Sequence, residues 1–143
     1  MTLTRSDAEL ARQLVDATAA RTEVAAALIL DADRRPVQRV AHARFVVFDA
    51  LSRIGWSQRA IGEYFGRDRA TVSAGIRRLE RMTRVDAELL EWARDIRPIA
   101  EQLLEVQRRG RFDRLQKAVA EALPPRPQRP DWSLPAPLAR GAA

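Results

Sequence analysis

The densest run of side chains able to do chemistry is residues 57–82, SQRAIGEYFGRDRATVSAGIRRLERM. Within it Arg67, Asp68, Arg69, Ala70, Thr71 and Ser73 gather around the expected first turn of a helix. These types suit the edges of base pairs in a major groove. Arg forks onto guanine, a Thr methyl meets a thymine methyl, and Asp accepts from a cytosine amino group. Ser57 opens the preceding helix, where its hydroxyl and the free backbone N–H groups can hold a phosphate. Arg44, Ser57, Gln58, Arg59, Arg77 and Arg78 are assigned to phosphate, Arg77 and Arg78 lying two turns beyond the base-reading positions. Reaction chemistry has no comparable cluster. The chain has no Cys and a single His, His42, which sits in an apolar run and reads as a structural residue. Its carboxylates are scattered rather than gathered at a cleft. The expectation is a protein that is not an enzyme and needs no metal, cofactor or nucleotide.

Positioning those residues takes two short helices and a tight turn. Ser57 caps the first, which carries Ile61, Tyr64 and Phe65, with Ile61 and Phe65 inward; Gly66 makes the turn; Asp68 caps the second, with Val72, Ile76 and Leu79 inward. The rest of the chain also has helical periodicity. Ser6-Asp7-Ala8-Glu9 reads as a capping box ahead of Leu10, Leu14 and Val15. Thr22 is expected to cap a short helix holding Val24, Leu28 and Ile29, and Asp31 to Arg35 to form a polar loop. Pro36 suits the first turn of a long helix reaching about Ile54, apolar on much of its surface and therefore central. Gly55 supplies its left-handed stop.

Charge is unevenly placed along the 143 residues. Of 25 basic residues all but Lys117 are Arg, and the formal net charge is +6. Residues 1–33 hold three Arg and six acids, a net of −3; residues 34–84 hold twelve Arg and four acids, a net of +8; residues 85–143 hold ten bases and nine acids, a net of +1. GC-rich codon usage would spread Arg evenly, whereas a phosphate-facing surface concentrates it.

From Val85 the pattern changes. Val85, Leu89, Trp92, Ile96, Ile99, Leu103 and Val106 recur at spacings of 4, 3, 4, 3, 4 and 3, a heptad seam. Either this seam folds back on the preceding domain, or it is a homodimer or partner-protein surface made by Leu89, Trp92, Ile96, Ile99 and Leu103. Pro98 implies a kink or break near Arg97, and Gly110 an end. Phe112, Leu115, Val119 and Leu123 then imply one further helix. The last twenty residues open with five Pro in twelve and read as a disordered tail in which Trp132 could anchor a partner. The expected organisation is all-α: a DNA-binding domain over 6–83, an amphipathic helical extension over 84–123, and a Pro-rich tail over 124–143.

The stretch IGEYFGRDRATVSAGIRRLE resembles the C-terminal DNA-binding domain of the bacterial replication initiator DnaA, a relative of the Trp-repressor helix-turn-helix. Ile61, Gly62, Phe65, Gly66, Arg67, Asp68, Thr71, Val72, Arg77, Arg78 and Glu80 fit that family's pattern. The resemblance covers roughly residues 9–82. The family's base-reading His is Arg69 here and its first Thr is Ala70, so the resemblance implies the same surface on a different target sequence. It also implies a minor-groove Arg in the basic loop, for which Arg34, Arg35 and Arg39 are the candidates. The initiator's phosphate-binding loop ending in Gly-Lys-Ser or Gly-Lys-Thr is not in the chain, so a stand-alone DNA reader is expected rather than a complete initiator.

These readings converge on a sequence-specific transcription regulator of double-stranded DNA, an activator working with a partner protein. A DnaA-like reader joined to a partner-binding region resembles, in architecture, the activators of phage-like gene transfer agents. The alternative is a replication accessory acting at initiator-type sites. No run reaches the ~18 apolar residues of a membrane span and no secretory signal is evident, so a cytoplasmic, nucleoid-associated protein is expected.

Overall fold

The computed structural model describes residues 3–31 and 37–123, and among them every regular element is helical. The helices are α1 (Arg5–Thr22), α2 (Ala26–Leu30), α3 (Gln38–Arg53), α4 (Gln58–Phe65), α5 (Arg69–Met82) and α6 (Ala87–Ala122). The chain divides into two compact units, one ending at Gly110 and the other beginning at Arg111.

In the first unit α1 starts on a capping box placed two residues earlier than its sequence suggests. Thr4 Oγ1 accepts from the Asp7 N–H at 3.1 Å, and the Asp7 carboxylate accepts from the Thr4 N–H at 3.1 Å. A Thr-x-x-Asp frame competes with Ser6-x-x-Glu9 here, and capturing Thr4 adds a further helical residue, Arg5, ahead of Ser6. Ser6 is instead an acceptor for Gln107 of α6, which donates to Ser6 Oγ at 3.0 Å and to Asp7 at 2.8 Å. Leu10, Ala11, Leu14, Val15 and Thr18 then bury one face.

Thr22 does not cap α2. It is the last residue of α1, and its hydroxyl donates back to the Thr18 carbonyl at 2.7 Å. α2 begins at Ala26 with no side-chain cap. A Thr whose hydroxyl reaches its own preceding turn leaves the next helix to be held by other means. Arg44 holds it from the far end, as described below.

α3 is the central element, with ten buried residues including Val46, Val47, Phe48 and Leu51. It begins at Gln38, capped by the Val37 backbone; the position of Pro36 lies outside the described residues. Gly55 follows it at φ +102°, as its type requires. α5 crosses α3 at Gly75. A Cβ there would stand 2.7 and 2.9 Å from the Phe45 ring, so only glycine lets the two helices come this close.

α6 departs most from the sequence pattern. It is one helix of 36 residues, with no break at Pro98 or at Gly110. Pro98 is exposed on the outer side, and Gly110 keeps a helical backbone without the positive φ of Gly55 and Gly66. The seam also folds inward. Leu89, Trp92 and Ile96 are buried, together with Ala93 and Ala100, and Ile99 and Leu103 pack half-buried against the core. Of the five expected partner-surface residues, Leu89, Trp92 and Ile96 are therefore core, and Ile99 and Leu103 pack against it rather than facing a partner. Only the ends of the seam, Val85 and Val106, face outward. Arg21 of α1 donates to Asp95 at 2.7 Å and Arg97 donates to the buried Asp49 at 3.0 Å. With the Gln107–Asp7 contact, these bonds run α6 antiparallel to α1. The core thus does not close at residue 83; it includes α6 as far as Ala100.

In the second unit, residues 111–122 continue the α6 helix with every side chain exposed. The expected tail over 124–143, Trp132 included, lies outside the described residues. Among the described residues no helix is long and apolar enough to cross a membrane.

Candidate nucleic-acid interface

α4 is eight residues long, and its ends are fixed by its own sequence. Ser57 Oγ accepts from the Ala60 N–H at 3.1 Å. Gly66 closes it at φ 65°, ψ 36°, the left-handed conformation that favours glycine, and its N–H donates to the Gly62 carbonyl. The Arg67 N–H donates to the same carbonyl at 2.8 Å, so the chain doubles back sharply over the last turn of α4. A Cβ on Gly62 would collide with the Arg67 carbonyl oxygen, which makes Gly62 as necessary to the turn as Gly66. Asp68 then caps α5, its carboxylate accepting from the Thr71 N–H at 2.7 Å. Hydrogen bonds from the Thr71 hydroxyl and N–H hold the exposed Asp68 carboxyl below the ordinary carboxylate range.

Behind this pair lies an aromatic stack that sets its angle on α3. Phe65 meets Phe48 edge-on at 5.0 Å and Tyr64 edge-on at 5.1 Å. Ile61, Val72 and Leu79 are fully buried beneath the two helices. Burial raises the Tyr64 phenol above its usual value.

The outer side is an open concavity of about 490 Å³ lined by Gln58, Asp68, Arg69, Ala70, Ser73 and Arg77. Four of the six expected major-groove positions and two of the six expected phosphate positions line it. Asp68, Arg69, Ala70 and Ser73 line the concavity together with Gln58 and Arg77. Thr71 and Arg78, both exposed, are not among its lining and lie on the neighbouring flank of α5. Ser57 and Arg59 are exposed at the start of α4.

Three arginines are committed elsewhere. Arg67 is half-buried and donates to the Asp31 carbonyl at 3.2 Å, tying the turn to the end of α2. Arg44 is 5 % exposed, and its guanidinium donates to the carbonyls of Ile29, Leu28 and Asp31 at 2.9, 3.0 and 2.9 Å. It satisfies the carbonyls that a five-residue helix leaves open and cannot reach a phosphate. Burial lowers the Arg44 pKa; Arg67 pushes the same way and Asp31 opposes it. Arg39 lies over the Trp92 ring at 4.8 Å, donates to the Thr22 carbonyl at 2.8 Å and pairs with Glu88 at 3.1 Å. It closes the end of α1 against α6 and is not a minor-groove arm. Arg34 and Arg35, the other two minor-groove candidates, lie outside the described residues.

The remaining arginines divide into paired and unpaired sets. Arg5, Arg12, Arg21, Arg53 and Arg97 all have carboxylate partners on α1, α3 and α6. Among the described residues, Arg59, Arg69, Arg77, Arg78, Arg81 and Arg84 around α4 and α5 form no ion pair, and on α6 the same holds for Arg94, Arg108 and Arg114. The side of the molecule carrying α4 and α5 therefore presents net positive charge, these six arginines against the exposed Glu63, Asp68 and Glu80. Two of its members were not foreseen. Ala74 is exposed one turn beyond Ala70, leaving the outward side of α5 with two small residues between Arg side chains. Arg81 continues that line one turn beyond Arg77. In both cases the four-residue spacing was the available signal.

His42 is 7 % exposed, and its Nε2 has no hydrogen-bond partner among the described residues. Burial depresses its pKa; Asp86 raises it and Arg78 lowers it. This is the buried structural histidine expected from its apolar surroundings. Among the described residues no group of His, Cys, Asp and Glu could hold a metal. No protein-family model matches the sequence, and no curated protein does.

Proposed function

We propose that this protein binds double-stranded DNA sequence-specifically, with α4 and α5 as a DnaA-like helix-turn-helix and the first turn of α5 in the major groove. The observation that carries the reading is the concentration of six arginines around α4 and α5, Arg59, Arg69, Arg77, Arg78, Arg81 and Arg84, none of which has a carboxylate partner among the described residues. Unpaired guanidinium groups flank a concavity whose floor at Ala70 has no bulk to hold a duplex away. Asp68 both starts the helix and, ionised, can accept a hydrogen bond from a cytosine amino group. Ser57 offers a capping hydroxyl and the N-terminal N–H groups of α4 to a backbone phosphate. On this reading the protein is a transcription regulator acting with a partner, and an activator; a role as replication accessory at initiator-type sites is the alternative, and a genome-wide occupancy map separates promoters from origins.

The direct test is binding to duplex DNA across a salt series. Each phosphate neutralised contributes a slope of about −0.9 in log K against log salt. With Arg59, Arg77, Arg78 and the α4 N-terminus engaged on phosphate, the slope should be about −4. A slope near zero, or no binding to any duplex at low salt, refutes the proposal.

A further inference from the structure

The end of α6 carries a second set of side chains that the fold does not use. Phe112, Leu115, Val119 and Leu123 are 59, 62, 47 and 61 % exposed. Their spacings of 3, 4 and 4 place them one per turn on a single stripe. At about 100° per residue, Arg108 and Arg111 fall beside the N-terminal end of that stripe, while Lys117 and Glu121 fall on the opposite side. Residues 108–123 hold five bases against two acids, a net of +3. Among the described residues Arg108, Arg114 and Lys117 form no ion pair. A row of large apolar side chains standing in water on a basic helix is a cost with no return inside the fold.

We propose that residues 108–123 are a preformed helical ligand for a second protein, seating Phe112, Leu115, Val119 and Leu123 in an apolar groove whose rim carries carboxylates. The inference does not depend on the DNA-binding reading.

Charge and length select this occupant. A second copy of the chain would bring one +3 segment against another. The stripe also spans twelve residues, under two heptads, where a self-standing coiled coil takes about three to four. The twenty residues that follow in the chain hold three Arg and one Asp, so they carry the same sign as the stripe. A membrane surface rewards a broad apolar face. Here the face is one residue wide and is flanked by Ala118, Ala120 and Ala122, which add little to insertion but let groove walls approach closely. The i, i+3, i+7, i+11 series of anchors matches a helix laid in a groove. The stretch is already helical within α6, so binding orders little backbone and loses little affinity to it.

The test places a photo-crosslinking residue at Leu115, or at Glu121 on the opposite side, in the full chain expressed in the cells that make it. The expected result is a single protein adduct from position 115 and none from 121. Its yield falls about tenfold or more with Arg108→Glu and Arg111→Glu together, and holds with Lys117→Glu. Mapping the adduct identifies Asp or Glu side chains on the partner, and changing those to Arg restores the yield with the Arg108→Glu, Arg111→Glu variant. All these positions are exposed, so circular dichroism of each variant should match the parent. An adduct between two copies of the chain, to lipid or to DNA, an adduct indifferent to the charge reversal, equal yields from 115 and 121, or no adduct overturns the proposal.

Discussion

Cutting the chain after Thr83 should destroy the fold, whereas cutting it after Gly110 should leave it intact. The first cut removes α6 and with it Leu89, Trp92 and Ile96, which are 1, 4 and 0 % exposed. Burying a large apolar side chain is worth about 1.5–3 kcal/mol, so these three contribute roughly 5–9 kcal/mol. Domains of this size have only about 5–15 kcal/mol in total. The cut also takes Arg97 from Asp49, leaving a carboxylate with 3 % side-chain exposure to Arg53 alone. The second cut removes no buried described residue, because every position from 111 to 123 is exposed. Denaturant unfolding followed by circular dichroism should give the full chain and residues 1–110 cooperative transitions with the same midpoint within error. Residues 1–83 should give no cooperative transition. Within the full chain, Trp92→Ala should cost about 3–5 kcal/mol by the same reasoning. If residues 1–83 unfold cooperatively with most of the parent stability, α6 is an appendage and the account of the core given above is wrong.

At the proposed interface, Arg69→Ala should cost about 1–3 kcal/mol on the preferred site and relax one base pair in selection from a randomised pool, while Arg78→Ala should weaken all sequences alike and reduce the salt slope by about one. Arg69→His with Ala70→Thr should shift the selected sequence toward the initiator's own site; an unchanged selection after Arg69→Ala would show that α5 does not read bases. Arg44→Ala should leave the salt slope unaltered and cost roughly 2–4 kcal/mol of stability, at about 1 kcal/mol for each of its three carbonyl bonds, measured by chemical denaturation. His42 is a base whose folded pKa is depressed, so the unfolded chain gains its proton first as pH falls. Its linked stability is intact above the unfolded value near 6.5 and declines as pH drops below it toward the folded value. The denaturation midpoint should therefore fall between pH 7 and pH 5, and fall less in His42→Leu.

What the sequence displayed was local chemistry. Ser57 and Asp68 announce helix starts because a short polar side chain before an apolar-periodic run has few other uses, and both cap the expected helices. Gly55 and Gly66 announce stops, and both have positive φ. What it did not display was which of two equivalent chemical choices the fold takes. Thr4 and Ser6 both head capping frames, and the longer helix wins. A 4-3 apolar seam looks the same whether it faces its own domain or another, so the inward folding of Leu89, Trp92 and Ile96 was open until the partners on α1 and α3 were known. Gly75 does carry a sequence signal: a glycine inside a helix costs about 1 kcal/mol against alanine, which is offset where it allows a close approach such as that of Phe45.

The arginines make the same distinction in electrostatic terms. Twelve Arg in residues 34–84 would, taken as a count, suggest a salt slope far steeper than about −4. Arg44 and Arg67 face the carbonyl end of α2, Arg39 the carbonyl end of α1, and Arg53 the buried Asp49. A guanidinium offers five N–H donors in a flat fork, so one side chain can close a short helix that no backbone turn would close. α2 has five residues, an uncapped start and an end held by two such forks. Part of the basic excess is therefore internal scaffolding that fixes α2 against α3 and the turn of α4–α5. Removing a scaffolding arginine should lower stability at constant salt dependence, and removing an outward one should do the reverse. A protein in which both classes changed the salt slope equally would have its positive charge arranged otherwise than these contacts imply.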